Sequence, residues 1–325
     1  PGSGKTRVLT YRAAWLVAAQ SARPGQVLCV TFTNKAAQEM RLRLERLLRD
    51  QARDLHIHTF HALAARILRQ FSVEAGLGPR FAVADDEQQA RILSELVRRR
   101  DLSREQFPTY RLAEYISAAK RELRDPAQAS PSEFIQPELI DLAADYAAEL
   151  RSRGLLDFDD LIDNAVRLLA GDRHVRTRVQ QGLPHILVDE YQDIDRAQFE
   201  LLKLLAPRNS DVVAVADEAQ SIYGWRGAQP ELIGAFSDFY RPHVVALDIS
   251  YRSTQTILDA AQAMMRRNAA SRPERRPLRT TQGPGEPIYH YVFAHSRQEQ
   301  DWLVRLIRGL VAQRGFGYGD IAVLY

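Results

Sequence analysis

The chain opens inside a phosphate-binding loop, and that constrains it more than any other feature. Pro1-Gly2-Ser3-Gly4-Lys5-Thr6 runs directly into Arg7-Val8-Leu9-Thr10, which reads as the first turns of a helix. The order of residue types suits a polyphosphate. Glycines let backbone N–H groups crowd the phosphates, and the helix N-terminus adds partial positive charge. Lys5 reaches the terminal phosphates and Thr6 can ligate Mg²⁺. The nucleotide-contacting set on this loop is therefore Gly2, Ser3, Gly4, Lys5, Thr6 and Arg7. The full motif carries a further glycine and a delivering strand, both expected ahead of Pro1. Composition sharpens the reading: of the 44 basic residues only Lys5, Lys35, Lys120 and Lys203 are lysine. In a chain whose default cation is arginine, a lysine after Gly4 supplies a compact, rotatable charge where a rigid guanidinium would not fit.

Short apolar runs follow at Val27–Thr31, Leu55–His58, Ile186–Val188, Val212–Val215 and Val244–Leu247. Most are apolar on both faces, as buried parallel strands are. Helical patterns at Ala36–Leu48 and Ala62–Phe71 separate them, so the rhythm predicts an α/β fold with a parallel sheet covered on both sides. Polar residues at strand C-termini then line one edge, where open α/β sheets bind ligands. From Val73 to Arg153 the rhythm gives way to helix. Ile92, Leu93, Leu96 and Val97 recur at helical spacing, as do Leu112, Tyr115 and Ile116, and then Leu139, Ile140, Leu142, Tyr146 and Leu150. Turn signals at Gly76–Pro79 and Asp125-Pro126 punctuate this stretch. A second α/β unit is expected after Leu247: an Arg-rich link over Arg266–Pro284, a strand near Pro287–Val292, a helix over Gln298–Gln313 and a strand over Asp320–Tyr325.

A net charge of +3 is too small to imply a nucleic-acid partner by itself. The single Cys29 rules out an internal disulfide and fits a reducing, cytoplasmic compartment. No apolar run approaches membrane-spanning length.

Ile186-Leu187-Val188-Asp189-Glu190-Tyr191-Gln192-Asp193 is a buried strand ending in paired carboxylates. In a nucleotide hydrolase the first acid at such a strand end helps hold Mg²⁺, and the second orients or deprotonates the attacking water. Asp189 and Glu190 are the candidates for these roles, with Thr6 and Asp189 as the metal ligands. A solvated acidic turn would have the same sequence, but not paired with a phosphate loop.

Asp189-Glu190-Tyr191-Gln192-Asp193 resembles the second motif of superfamily 1 helicases of the UvrD/Rep/PcrA type. Further segments resemble that family in the family's order: Val30–Met40 its motif Ia, His58–His61 its motif Ib, Leu156–Leu161 the segment after its helical insertion, Ala216–Ala228 its motif III and Ile249–Ser253 its motif IV. The resemblance spans essentially the whole chain. It implies a first RecA-like P-loop NTPase domain over 1–72 and 154–248, a helical insertion over 73–153, and the start of a second RecA-like domain over 249–325.

Site roles come with it. Gln220 is expected at the γ-phosphate or attacking water, Arg252 reaches phosphate from the second domain, and Tyr251 stacks on adenine. Lys5, Asp189, Glu190, Gln220 and Arg252 form the catalytic set. Trp225 and Phe32 are expected to stack on bases, with Tyr223 and Arg226 beside Trp225, Thr33 and Asn34 near the backbone, and Thr59 and His61 near phosphates. Core packing remains an alternative for Phe32 and Trp225, and a plain helix start remains one for His61. Arg41, Arg43, Arg46 and Arg49 fit the wet face of an amphipathic helix.

Three positions depart from the family pattern: Tyr191 for phenylalanine, Ala216 for glycine and Ser250 for asparagine. The resemblance implies an ATP- and Mg²⁺-dependent 3′–5′ DNA helicase of repair or replication. Its partners would be single-stranded DNA, 3′-tailed duplex DNA and accessory proteins. This chain by itself is expected to be poorly active or inactive. Two alternatives stay open: the helicase part of a RecB/AddA-like helicase–nuclease, and an ATP-gated single-strand binder or displacer with little unwinding.

Overall fold

Alternate residues of the central strands serve two different cores. In the computed structural model, which describes residues 2–78, 81–131, 135–267 and 277–324, β1 (Val27–Thr31) is buried along its whole length. Leu28 and Val30 face one apolar cluster, and Val27 and Cys29 the other. Ile186 and Val188 join the first cluster and Leu187 the second. A strand with apolar residues on both faces is satisfied only between two helical layers. Helices α1 (Lys5–Ala18) and α2 (Asn34–Leu48) cover one side, and α3 (Phe60–Gln70), together with the helices over Phe158–Gly171 and Arg196–Leu205, the other.

The sheet continues with β2 (His56–Thr59), an edge strand whose burial alternates. Next in the chain come the short β3 (Ala82–Val83), the helices α4 (Asp86–Arg99), α5 (Thr109–Arg121) and α6 (Pro137–Ser152), and β4 (Leu155–Leu156). Helices α7 (Phe158–Gly171) and α8 (Arg173–Gly182) lead to β5 (His185–Val188), α9 (Arg196–Leu205), β6 (Asp211–Ala214) and α10 (Leu232–Tyr240). The four-stranded sheet has the order β2-β1-β5-β6, parallel throughout. Its C-terminal edge therefore gathers the chain after Thr31, Thr59, Val188 and Ala214, where the sequence placed its polar motifs.

Helices α4–α6 enclose their own apolar cluster, including Leu93, Val97, Leu112, Ile116, Leu142 and Tyr146. The stretch is not helix alone, because β3 pairs in parallel with β4 and closes its two ends together. Lys120, only 7% exposed, fastens this stretch to the start of α7. Its ammonium lies 2.7 Å from both Asp157 and Asp160, and the Tyr146 hydroxyl donates to Asp157 at 3.2 Å. Asp157 also caps α7, with the Asp160 amide donating to it at 2.8 Å.

Beyond α10 three strand expectations fail. Val244–Leu247, Pro287–Val292 and the described part of Asp320–Tyr325 carry no strand; Tyr325 and positions 268–276 of the Arg-rich link, like Pro1 and Pro79, lie outside the described residues. Val244 is 76% exposed and Leu324 is 94% exposed. A strand is a pairing and not a local state, and these segments form no ladder among the described residues. What does pair there is β7 (Ile249–Ser250) with β8 (Arg279–Thr280), flanked by α11 (Gln255–Arg266) and α12 (Ser296–Arg314). Among the described residues no helix is long and apolar enough to cross a membrane.

Removing one partner of a buried ion cluster leaves uncompensated charge. Lys120→Ala is therefore expected to cost about 3–5 kcal/mol of stability in urea unfolding. A loss below about 1 kcal/mol, as for a surface pair, would mean the cluster is hydrated and fastens nothing.

Candidate nucleotide and nucleic-acid site

The phosphate loop ends in a sharp turn that only glycine makes cheaply. Gly2 and Gly4 sit at φ 70° and 85°, and Gly4 caps α1 without a side chain. The first amides of α1, from Lys5 onward, have no helical partners of their own, which is the usual anion-binding arrangement. A side chain at Gly2 would collide with the Arg252 Cβ, and the Tyr251 amide donates to the Gly2 carbonyl at 3.0 Å. The loop and the Ser250-Tyr251-Arg252 segment are thus in direct backbone contact. The buried Ser250 hydroxyl accepts weakly from the Arg252 and Ser253 amides at 3.4 Å. Tyr251 and Arg252 are themselves exposed beside the loop. Ser3 lies half-buried between the two glycines, and Arg7 points its guanidinium over the Tyr11 ring, 5.3 Å from its centre.

Sheet order sets the rest. Asp189 leaves β5 buried beside the Thr6 side chain. Burial pushes its carboxyl above the usual range, Thr6 and Lys5 pull it down, and Glu190 pushes it up. Glu190 follows in a left-handed conformation, φ 49° and ψ 47°. A non-glycine residue held there costs on the order of 1 kcal/mol and persists only where its surroundings enforce it. The enforcing group is the buried amide of Gln192. Its Nε2 donates to Glu190 at 2.7 Å and to Asp193 at 3.2 Å, while its Oε1 accepts the Asp217 amide at 2.9 Å.

Asp217 follows the β6 strand next door and carries the Lys5 ion pair at 3.5 Å. The Gln220 side-chain amide also donates to Asp217. Burial pushes Asp217 up, but the Gln220 amide and the Lys5 charge outweigh it and hold the carboxyl below its ordinary value. Lys5, Thr6, Asp189, Glu190 and Gln220 therefore converge on one spot. Gln192 and Asp217, which join them, carry no role in the sequence reading. Their signal was a polar residue at each of two adjacent strand ends. Thr6 and Asp189 present hard oxygen donors at the loop, a set that suits Mg²⁺ better than a soft metal.

The same loop turns outward after Gln220. Trp225 is 69% exposed, with the Arg226 guanidinium 4.7 Å from its ring centre. The Tyr223 ring lies 6.3 Å from Trp225 and 4.8 Å from Phe32, which projects from the end of β1. Phe32, Tyr223, Trp225 and Arg226 thus form one aromatic strip instead of core packing. Thr33 and Thr59 are helix caps, accepting the Ala36 and Ala62 amides at 3.1 and 3.2 Å. Asn34 opens α2, and the N-terminal amides of α2 and α3 lie at the same edge as the strip. His61 packs edge-on against Phe158, and burial holds its imidazole below the ordinary pKa.

The fold and site define a P-loop nucleotide-binding protein of the RecA-like α/β class, with an exposed aromatic strip beside the nucleotide loop. Residues 1–241 match the UvrD/REP helicase N-terminal domain and residues 245–325 the UvrD-like helicase C-terminal domain, so the chain belongs to the UvrD/REP helicase family. Its whole length aligns at 40% identity with an ATP-dependent DNA helicase PcrA of Leuconostoc citreum, covering 44% of that protein. PcrA proteins of Staphylococcus aureus and Staphylococcus epidermidis align likewise at 36% and 35% identity, again over 44% of their length. The chain therefore spans less than half of these relatives.

Asp193 offers a test of the Gln192 network. Burial, and then the neighbouring Glu190, push its carboxyl up to about 6, while Gln192 pulls the other way, and its buried Oδ1 has no partner among the described residues. A carboxyl raised above its unfolded value stabilises the fold fully below about pH 4, and that contribution is lost as pH rises towards 6. Asp193→Asn should remove this decline and gain about 1–3 kcal/mol at pH 7 in urea unfolding. A mutant whose stability follows the same pH curve as wild type would show Asp193 ionising freely.

Proposed function

We propose that this chain is the ATP-hydrolysing and strand-gripping part of a 3′–5′ DNA helicase acting in repair or replication. The observation that carries the reading is the single loop from Asp217 to Arg226. One end pairs with Lys5 and the other exposes Trp225. The domain division proposed is a first RecA-like domain over 1–72 and 154–248, a helical insertion over 73–153, and a second RecA-like domain starting at 249.

The α1 amides and Lys5 hold the phosphates of ATP, Tyr251 stacks on the adenine, and Arg252 reaches the terminal phosphate across the backbone contact with Gly2. Thr6 and Asp189 would hold Mg²⁺, which when bound neutralises phosphate charge during transfer. Glu190, aimed by Gln192, orients the attacking water and accepts its proton. Lys5 exchanges Asp217 for phosphate when ATP binds, which frees Asp217 and Gln220 to rearrange. Gln220 then reports whether the γ-phosphate is intact, and the loop passes that state to Trp225.

Bases of single-stranded DNA stack on Phe32, Tyr223 and Trp225 at about 1–3 kcal/mol each, without sequence preference. Arg226 keeps the Trp225 ring in place. Thr33, Asn34, Thr59 and the amides opening α2 and α3 donate to the DNA backbone, with His61 as a neutral donor. The substrates proposed are single-stranded DNA and 3′-tailed duplex, in a cytoplasmic setting, with repair or replication proteins as partners.

Tests belong in the full-length protein. Lys5→Ala should abolish ATP turnover, and retained turnover would remove Lys5 from the phosphate role. Glu190→Gln should bind ATP normally and lose about 10²–10⁴-fold in hydrolysis, with wild-type rates counting against it as the water-activating group. Trp225→Ala should weaken oligo-dT binding roughly 5- to 150-fold in fluorescence anisotropy. Unchanged binding would return Trp225 to a packing role.

A further inference from the structure

Three consecutive residues at the end of α5 grip two different parts of the first domain, the start of α7 and the loop that carries Trp225. Lys120 is buried against Asp157 and Asp160 at the start of α7. Arg121 packs its stem against Gly227, the residue directly after the Trp225-Arg226 pair. A Cβ at Gly227 would lie 2.8 Å from the Arg121 Cδ and 2.5 Å from its Nε, so a side chain there would displace Arg121 from this position. Gly227 also sits at φ 86° and ends the tight turn Gly224–Arg226, a conformation other residues resist. Glu122 accepts a hydrogen bond from the Gln229 side chain, two residues further along the same loop.

Arg121 is itself held from behind. Its guanidinium donates to Ser117 at 2.8 Å and Glu114 at 2.9 Å, and the Ser117 hydroxyl donates to Asp159 at 2.5 Å. On its far side the Gln229 amide donates to the Ile194 carbonyl at 3.0 Å, just past the Glu190-Gln192 turn. The base of the strip loop is thus clamped between the helical insertion and the catalytic turn.

We propose that Arg121 and Glu122 are positioning residues that set the loop carrying Trp225, so that the helical insertion governs how strongly bound single-stranded DNA stimulates ATP turnover. The inference rests on the functional reading above and adds the insertion as a third participant. Neither residue lies in the nucleotide loop or the aromatic strip, so loosening the clamp leaves DNA-free turnover intact. What is lost is the fixed geometry between Gln220 and Trp225.

The experiment is steady-state ATP hydrolysis by the full-length protein, with and without saturating oligo-dT, for wild type, Arg121→Ala and Glu122→Ala. The decisive readout is the stimulation ratio, which a merely structural role would leave unchanged. The ratio is expected to fall roughly 2- to 30-fold in both variants. An unchanged ratio overturns the inference and leaves the functional reading standing. Glu122→Ala carries the test alone should Arg121→Ala not fold, because it removes one hydrogen bond and creates no clash. A wild-type protein that DNA does not stimulate would remove both readings together.

Discussion

The buried amide of Gln192 is the interaction on which the candidate site depends. Strands β5 and β6 each deliver an acidic turn to the same sheet edge, and two such turns repel each other when nothing joins them. Gln192 offers its donor to Glu190 and Asp193 and its acceptor to the Asp217 backbone, so a neutral group ties both turns together. With Asp217 fixed, Lys5 has its counter-charge. With Glu190 fixed in a left-handed conformation, the acid stands clear of the strand that delivers it. The nucleotide side of the site follows from parallel pairing plus one amide.

The second consequence is spatial. Because β1, β5 and β6 end at one edge, the residue leaving β1, Phe32, meets the loop leaving β6 at Tyr223. An aromatic strip forms next to the phosphate loop without any dedicated scaffold. The cost is exposure: Trp225 has little covering it but Arg226, as expected for a side chain kept free for a partner. Gly227, Arg121 and Glu122 contact the loop from the other direction.

Much of this was legible in the sequence, for physical reasons. Strands buried on both faces announce themselves as continuous apolar runs, and Val27–Thr31 and Ile186–Val188 lie where that pattern put them. The periodic apolar residues read as helix within Val73–Arg153 do lie in helices, and Leu142, Tyr146 and Leu150 join one apolar cluster there. Apolarity alone failed at Val244–Leu247 and Pro287–Val292, because a strand exists only with a neighbour and composition does not name one. The family resemblance implied that Lys5, Asp189, Glu190 and Gln220 share one site, and the sheet order brings their segments to one edge. It gave no role to Gln192, Asp217 or Arg121, whose parts depend on contacts between segments distant in the chain. It also gave no hint that Gly2 and Tyr251 share a backbone hydrogen bond.

The central claim is that one loop feels both nucleotide and bases. It can be tested without DNA by following Trp225 alone, in full-length protein with every other tryptophan, Trp15 and Trp302 among them, replaced by phenylalanine. Adding a non-hydrolysable ATP analogue with Mg²⁺ should shift the emission of Trp225 as Lys5 leaves Asp217, and Lys5→Ala should abolish the shift. A spectrum that stays the same at saturating analogue, with binding confirmed by calorimetry, would contradict the claim.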